Sequence, residues 1–159
     1  MSAPAAPAEM LSPPSGCYKE GVHYYPVRIY FEDTDAGGIV YHANYLRYME
    51  RARPDMLRLL GINQRASIEA GEGVYAISHM EIDYRSPAKL DDDLVVVSRM
   101  ERVSGATVSI AQKVMRGDTL LTDATVTVAF ISPEGRPKRQ PKEWVALYQS
   151  IATGEPSPS

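Results

Sequence analysis

The residues best suited to chemistry lie in one short acidic segment in the first third of the chain. Three carboxylates, Glu32, Asp33 and Asp35, precede a glycine pair, and His42 follows just before a helical pattern begins. A carboxylate beside a helix N-terminus can act on a carbonyl group, because exposed backbone N–H groups stabilise negative charge on the carbonyl oxygen. The segment therefore predicts a site for attack on a carbonyl, and the rest of the chain must position it.

The Asp33-x-Asp35 pair is open to three interpretations at this point. It could bind Mg²⁺, since oxygen ligands in this spacing suit that ion, although paired aspartates of that kind usually follow strands of a parallel sheet. It could form a structural turn, which the aspartates and Thr34 hold and in which the glycines supply positive φ angles. It could also hydrolyse a thioester. A thiolate leaves easily, so this reaction needs only a base or nucleophile and a polarised carbonyl oxygen.

The composition is that of one globular domain between two tails. The chain has 159 residues with a formal net charge of −3, which gives no general attraction to nucleic acid. Cys17 is the only cysteine, so we expect a reducing compartment, the cytoplasm. We find no membrane-spanning run and no secretory signal. Residues 1–20 and 152–159 are rich in Pro, Ala and Ser, and we expect disordered tails around a domain at 21–151.

The first half of this domain changes from a strand pattern to a helical one. Tyr24–Phe31 alternates as a strand, and Ala43–Leu60 repeats apolar residues at three- and four-residue steps. This spacing predicts a long helix that Gly61 ends. Pro54 lies inside it and predicts a kink or a break, because proline removes one backbone hydrogen bond. Asn63 is the predicted cap of a second, short helix.

The second half is predicted to be an antiparallel sheet. Alternating residues predict strands at 74–85, 94–103, 106–116 and 120–131, and 142–151 can form a short helix. Ser104-Gly105 and Gly117-Asp118 are predicted two-residue turns, which make the last three strands a meander. A sheet and a single long helix bury their apolar sides by packing together. The sequence therefore predicts an α+β fold in which a curved antiparallel sheet wraps around one long helix.

The acidic segment and its flanks resemble a known family. The run from Val27 to Tyr45, with the pattern D-x-D-x-x-G-x-V-Y-H, and the following Met49–Arg53 are similar to the Tol–Pal-associated acyl-CoA thioesterases. These belong to the 4-hydroxybenzoyl-CoA thioesterase group of the hotdog fold, and Tyr84–Asp92 shares the similarity. The resemblance implies a hotdog fold. It also implies hydrolysis of a fatty-acyl or aryl thioester of CoA to a carboxylic acid and free thiol, without a metal or redox cofactor.

Carried over position by position, the resemblance implies a role for several residues. Asp35 matches the catalytic carboxylate, which acts as nucleophile or as general base on water; the sequence leaves both open. The backbone N–H of His42 matches the group that polarises the thioester carbonyl, while the His42 side chain either positions water or closes the pocket rim. Tyr41, Gly38 and Val40 are expected to contact substrate, although Tyr41 is equally well explained as a packed aromatic.

The partners follow from the same resemblance. Arg85, Lys89, Lys138 and Arg139 are candidates for contacts with the phosphates of CoA, although a solvated connector accounts more simply for the last two. An acyl carrier protein is a further candidate partner. The family's dimers join edge strands into a continuous sheet and place each active site at the subunit boundary, so we expect a homodimer or homotetramer.

A non-catalytic module is the alternative function. It would use the same groove to hold an acyl carrier or a lipid-synthesis enzyme. An intact motif with Asp35 favours the enzyme, because a binding module need not keep that carboxylate. The family association also implies a context in the Tol–Pal envelope system.

Overall fold

The structure is a computed structural model that describes residues 1–7 and 12–152. One antiparallel sheet of six strands, in the order β1-β2-β4-β5-β6-β3, packs against a long helix. The strands are β1 (Cys17–Lys19), β2 (Val22–Arg28), β3 (Val74–Tyr84), β4 (Asp93–Val103), β5 (Thr107–Arg116) and β6 (Thr119–Ile131), and the helices are α1 (Asn44–Leu59), α2 (Gln64–Glu69) and α3 (Lys142–Ala152). The predicted α+β class and the helix wrapped by antiparallel strands are confirmed.

The long helix α1 forms because its apolar residues fall on one face. Tyr45, Met49, Ala52 and Met56 are each at most 3% exposed, and α1 lies over β2, β4 and β5. Of the two outcomes predicted at Pro54, the break is wrong, since α1 continues through it to Leu59. The kink stays a prediction. Burial of the residues on both sides of Pro54 holds the backbone helical and offsets the lost hydrogen bond to the preceding turn.

The ends of the elements follow local chemistry. Gly61 has φ +82 just after α1, which confirms its predicted place. The side chain of Asn63 accepts a hydrogen bond from Ala66 N and caps α2, also as predicted. β2 stops earlier than predicted, because Phe31–Asp33 forms a 3₁₀ turn. The predicted two-residue turn at Ser104-Gly105 is one residue longer, because β5 starts at Thr107.

The N-terminal segment corrects the predicted tail at 1–20. Cys17–Lys19 pairs antiparallel with β2 at one edge of the sheet, because Ser15 and Gly16 bind Asp55 of α1 and hold this part of the chain down. Other parts of the predicted tails, 8–11 and 153–159, lie outside the described residues. The boundaries of the domain at 21–151 otherwise stay a prediction.

The two edges of the sheet differ in length. β1 covers only three residues of β2, whereas β3 has 11 residues and, within 1–7 and 12–152, pairs on one side only, with β6. The outer edge of β3 therefore presents a long row of unpaired backbone groups. Among residues 1–7 and 12–152, no helix is long and apolar enough to cross a membrane.

Candidate active site

The acidic segment forms a loop between β2 and α1 whose two arms bind each other. Asp35 N donates to Ile39 O at 2.8 Å, and Tyr41 N donates to Asp33 O at 3.0 Å. The Asn44 side chain also donates to Asp33 O, at 2.8 Å, and so ties the loop to the first residue of α1. These bonds fix the position of Asp35 relative to the start of the helix.

Asp35 is exposed, and only one of its two carboxylate oxygens accepts a hydrogen bond from the described residues. Gly37 N donates to Asp35 Oδ1 at 2.8 Å, and among the described residues no donor binds Oδ2. One oxygen is therefore held while the other stays available to a carbonyl carbon or to water. The other aspartate, Asp33, uses its Oδ2 to accept from Tyr30 N at 2.8 Å. Asp33 therefore shapes the turn, as the structural interpretation of the acidic pair predicts.

The start of α1 offers free backbone donors. Ala43 is the N-cap residue, and no side chain caps this end of the helix. None of the hydrogen bonds among residues 1–7 and 12–152 uses the N–H of His42. The partial positive charge of a helix N-terminus adds to this donor. The loop thus combines a carboxylate with an unused N–H at a helix start, which suits a reaction that builds negative charge on an oxygen.

Four aromatic rings lie at this helix start, and two of them bind backbone groups. Tyr84 Oη donates to His42 O at 3.0 Å, and the His42 ring packs on Tyr41 with 4.6 Å between centroids. Ala88 N donates to Tyr45 Oη at 3.0 Å, which joins the 86–92 segment to α1. His42 and Tyr41 are both exposed, so neither ring is part of the core.

Not every predicted substrate contact faces solvent. Gly38 lies in the turn of the loop with φ +82 and open space around its Cα. Val40 is only 2% exposed and packs in the core with Ile29, Tyr45 and Ala88. Its side chain therefore packs in the core, and a contact between Val40 and substrate stays a prediction. The alternation of the sequence could not show this, because the loop has no regular period.

The four predicted phosphate contacts divide into two separate pairs. Lys89 flanks Ala88, whose carbonyl accepts from Val40 N at 2.9 Å, and Arg85 follows the end of β3 beside this region. Lys138 instead donates to Glu72 O, near the beginning of β3. Arg139 lies against Gly105. Since a strand rises about 3.3 Å per residue, the two ends of β3 are roughly 30 Å apart within one chain.

A cavity of about 340 Å³ lies between α1 and the β3 side of the sheet, at the low end of the range for small-molecule pockets, roughly 300–1,000 Å³. Its walls are mostly apolar, and Glu50 and Arg53 supply its charged groups. Arg53 Nη1 donates to Oε1 of Gln112, a fully buried side chain, at 2.9 Å. The cavity lining includes Leu57, Ile77, Met100, Ile110, Val128 and Tyr148.

Sequence reasoning missed the residues that build this cavity and the support of the site. Ile77 and Val128 read as ordinary strand residues, because the cavity depends on how far α1 sits from β3. Tyr84 lies in the Tyr84–Asp92 segment that shares the family similarity, but nothing in the sequence indicated its contact with His42. Asn44, the first residue of α1, is a favoured capping type that could have suggested a backbone contact.

The comparisons with known proteins agree with this fold. A sequence model of a family described as the Thioesterase superfamily matches residues 37–122, which include His42 and begin just after Asp35. "Acyl-CoA thioesterase YbgC" of Haemophilus influenzae is 42% identical over 128 residues, 80% of this chain and 94% of that protein. "Acyl-CoA thioester hydrolase YbgC" of Escherichia coli O6:H1 is 38% identical over 127 residues, 79% of this chain and 94% of that protein. A crystal structure of a probable thioesterase from Bartonella henselae superposes with a TM-score of 0.72 at 36% identity, covering 76% of this chain and 99% of that one.

The helix wrapped by an antiparallel sheet, together with the matches to thioesterases, identifies a hotdog-fold thioester hydrolase. The chain belongs to the Thioesterase superfamily. The predicted enzyme class and the predicted hotdog fold are confirmed.

Proposed function

We propose that this enzyme hydrolyses acyl-CoA thioesters to a carboxylic acid and free CoA thiol, with Asp35 as the catalytic carboxylate. One observation carries the proposal. The free Oδ2 of Asp35 lies on a loop bonded to the start of α1, where the N–H of His42 has no partner among the described residues. The curated relatives named as acyl-CoA thioesterases support CoA as the thiol.

The reaction begins with the thioester oxygen at the His42 N–H. As a nucleophile, Asp35 Oδ2 attacks the carbonyl carbon, the oxyanion forms at the N–H, and the C–S bond breaks to release the thiolate. Water then hydrolyses the resulting mixed anhydride and restores the carboxylate. As a general base, Asp35 instead takes a proton from water, which attacks directly, and the proton passes to the thiolate. Both routes give the same products and need no metal.

The cavity between α1 and β3 is the proposed pocket for the acyl group. Its walls are apolar and it holds about 340 Å³, which suits a hydrocarbon chain better than the charged CoA moiety. Tyr84 ends β3 beside His42, whereas Tyr75, Ala76 and Ile77 line the cavity near the beginning of the same strand.

A homodimer brings these two regions together. If the unpaired edges of two β3 strands join around a two-fold axis, the strands run antiparallel, and the beginning of one lies beside the end of the other. The cavity of one subunit then meets the Asp35 loop of its partner. In such a dimer Lys138 and Arg139 of one subunit approach Arg85 and Lys89 of the other, which supplies a basic surface for the CoA phosphates.

The test is release of free thiol from a panel of short, medium, long and aromatic acyl-CoA substrates. The proposal expects turnover of at least one member, with a carboxylic acid and free CoA as the only products. No thiol release from any member would contradict it. The same assay should include an acyl carrier protein that carries the preferred acyl group. Turnover of this substrate is expected if the acyl group, rather than the thiol that carries it, determines which substrates react.

A further inference from the structure

A second group of ionisable residues lies outside the proposed reaction. Asp55 of α1 is 3% exposed, yet it accepts three hydrogen bonds from the N-terminal part of the chain. Ser15 Oγ donates at 2.7 Å, Gly16 N at 2.9 Å and His23 Nε2 at 2.7 Å. His23 on β2 is fully buried. A buried carboxylate is costly unless its oxygens are bonded, so these donors are the reason that Asp55 can remain charged in the interior.

Gly16 fits this place because it has no side chain. A Cβ there would stand 2.2 Å from Tyr24 O and 2.9 Å from both Asp55 Oδ2 and His23 Nε2. Backbone and buried polar atoms surround the position, so the chain has no room to adjust. The segment therefore docks on Asp55 by direct backbone contact, and β1 follows immediately as the short edge strand over β2.

The surroundings of His23 favour its neutral form. Since the Asp55 carboxylate can only accept, we assign the proton to Nε2, while Nδ1 is buried and has no hydrogen-bond partner among the described residues. A second proton on Nδ1 would create a buried donor without an acceptor, which costs about 1–3 kcal/mol or more for a charged group. Docking of the segment therefore favours neutral His23, and protonated His23 favours a state in which Nδ1 reaches water.

Other ionisable groups around the pair do not replace it in this role. The ring of Tyr18, on β1, lies 5.2 Å from that of His23, and burial raises the pKa of Tyr18. Tyr148 of α3 faces Tyr18, and burial raises its pKa as well. The ring of Tyr25 also stacks on that of His23, with 6.4 Å between the ring centroids. Arg58 approaches Asp55 only to 4.0 Å and is largely exposed.

We propose that residues 15–19 form a strap that Asp55 and His23 fasten at neutral pH and release in acid. The strap carries Tyr18, whose hydroxyl donates to Met56 O at 3.2 Å and whose ring packs against the core cluster of Met56, Met100 and Tyr148. Those three residues also line the cavity. Release of the strap therefore takes Tyr18 away from the outer wall of the cavity.

His23 and Asp55 both stabilise the docked strap less as the pH falls. Burial lowers the pKa of His23, against the opposing pull of Asp55. The contribution of His23 is therefore complete above its ordinary value of about 6.5 and is lost as pH falls through the lower value of the folded protein. Burial acts to raise the pKa of Asp55, but hydrogen bonds from Ser15, His23 and Gly16 outweigh it and the pKa lies below its usual value. The contribution of Asp55 is also lost in acid, at a lower pH than that of His23.

Amide hydrogen exchange on the full chain tests the strap without reference to catalysis. Protection of the peptide at 15–19, corrected for the intrinsic pH dependence of exchange, is expected to fall about tenfold or more between about pH 7.5 and about pH 4.5. Peptides from β5 and β6 should keep their protection over the same range. If the strap stays protected in acid, or if it opens only when β5 and β6 open, the proposal is overturned.

Three variants separate the strap from general acid sensitivity. In His23→Gln, the amide can still donate to Asp55 but does not titrate, so the acid step should largely disappear. His79→Gln, a change at an exposed histidine on β3, is the matched control and should keep the step. Gly16→Ala should release the strap at every pH, seen as faster trypsin cleavage after Lys19 at about pH 7.5. An unchanged acid step in His23→Gln, or a strap still protected in Gly16→Ala, would overturn the proposal. The consequence for acyl binding rests on the role proposed for the cavity, whereas the release itself does not.

Discussion

At the scale of single residues, chemistry depends on which polar atoms are left unpaired. Asp33 and Asp35 belong to the same short motif, but Asp33 bonds within the turn while Asp35 keeps one oxygen free. The motif alone therefore indicated the segment, and the resemblance singled out Asp35 within it. The sequence could not show that the Val40 side chain packs in the core. Nor could it show that His23 binds Asp55, 32 positions away, because such contacts depend on the packing of distant elements.

The His42 side chain should matter much less than its backbone. In His42→Ala the N–H at the helix start remains, so we expect kcat to fall by no more than about tenfold. Loss of a donor of this kind typically costs about 100- to 1,000-fold. Steady-state kinetics on the best acyl-CoA substrate measure the difference. A loss in the upper part of that range would show that the imidazole itself takes part in the reaction.

At the scale of elements, periodicity predicted most of the fold and failed where packing overrides local preference. The alternating runs predicted β3 to β6 to within one residue at each end. Buried residues recur along β4, β5 and β6, whereas β3 has only half-buried and exposed ones. The predicted break at Pro54 was wrong, since buried neighbours keep α1 continuous. β1 was missed because three residues carry too short a pattern and the segment docks through Gly16 and Asp55.

Pro54 should therefore reduce the stability of α1 without interrupting it. Proline in a helix interior costs about 3 kcal/mol relative to alanine, so Pro54→Ala should raise the free energy of unfolding by roughly 1–3 kcal/mol. Urea denaturation followed by circular dichroism measures the change. Pro133→Ala, in an exposed turn after β6, is the control and should not stabilise the protein. A lower stability of Pro54→Ala would show that contacts of the ring with the cavity wall outweigh the helix effect.

At the scale of the whole molecule, the long outer edge of β3 has no partner strand among the described residues. Several apolar residues of β3 are exposed to solvent. Among them, Ile77 is 52% exposed and Tyr84 is 46% exposed. Natural sheets seldom leave such an edge uncovered. The expected dimer covers it and joins a cavity from one subunit to an Asp35 loop from the other.

Ile77→Lys should disrupt this dimer. A charge on the edge strand at the cavity opposes pairing with a second copy, so the mass in solution should fall towards that of a monomer and thioester hydrolysis should fall with it. Size-exclusion chromatography with light scattering, together with the thiol assay, measures both. Glu101→Lys, on β4 away from that edge, is the control and should change neither. A fully active dimer of Ile77→Lys would place the interface elsewhere.

The proposed hydrolysis depends above all on the carboxylate of Asp35. Asn at this position keeps the shape and one oxygen that can accept from Gly37 N, but it provides neither a carboxylate nucleophile nor a base. Glu32→Gln makes a comparable change at an exposed residue three positions earlier and serves as the matched control. The decisive measurement is thiol release from acyl-CoA by wild type, Asp35→Asn and Glu32→Gln, with circular dichroism to compare the folds. We expect a folded Asp35→Asn protein without measurable turnover and a Glu32→Gln protein close to wild type. Turnover near the wild-type level in Asp35→Asn would contradict the proposed role of Asp35.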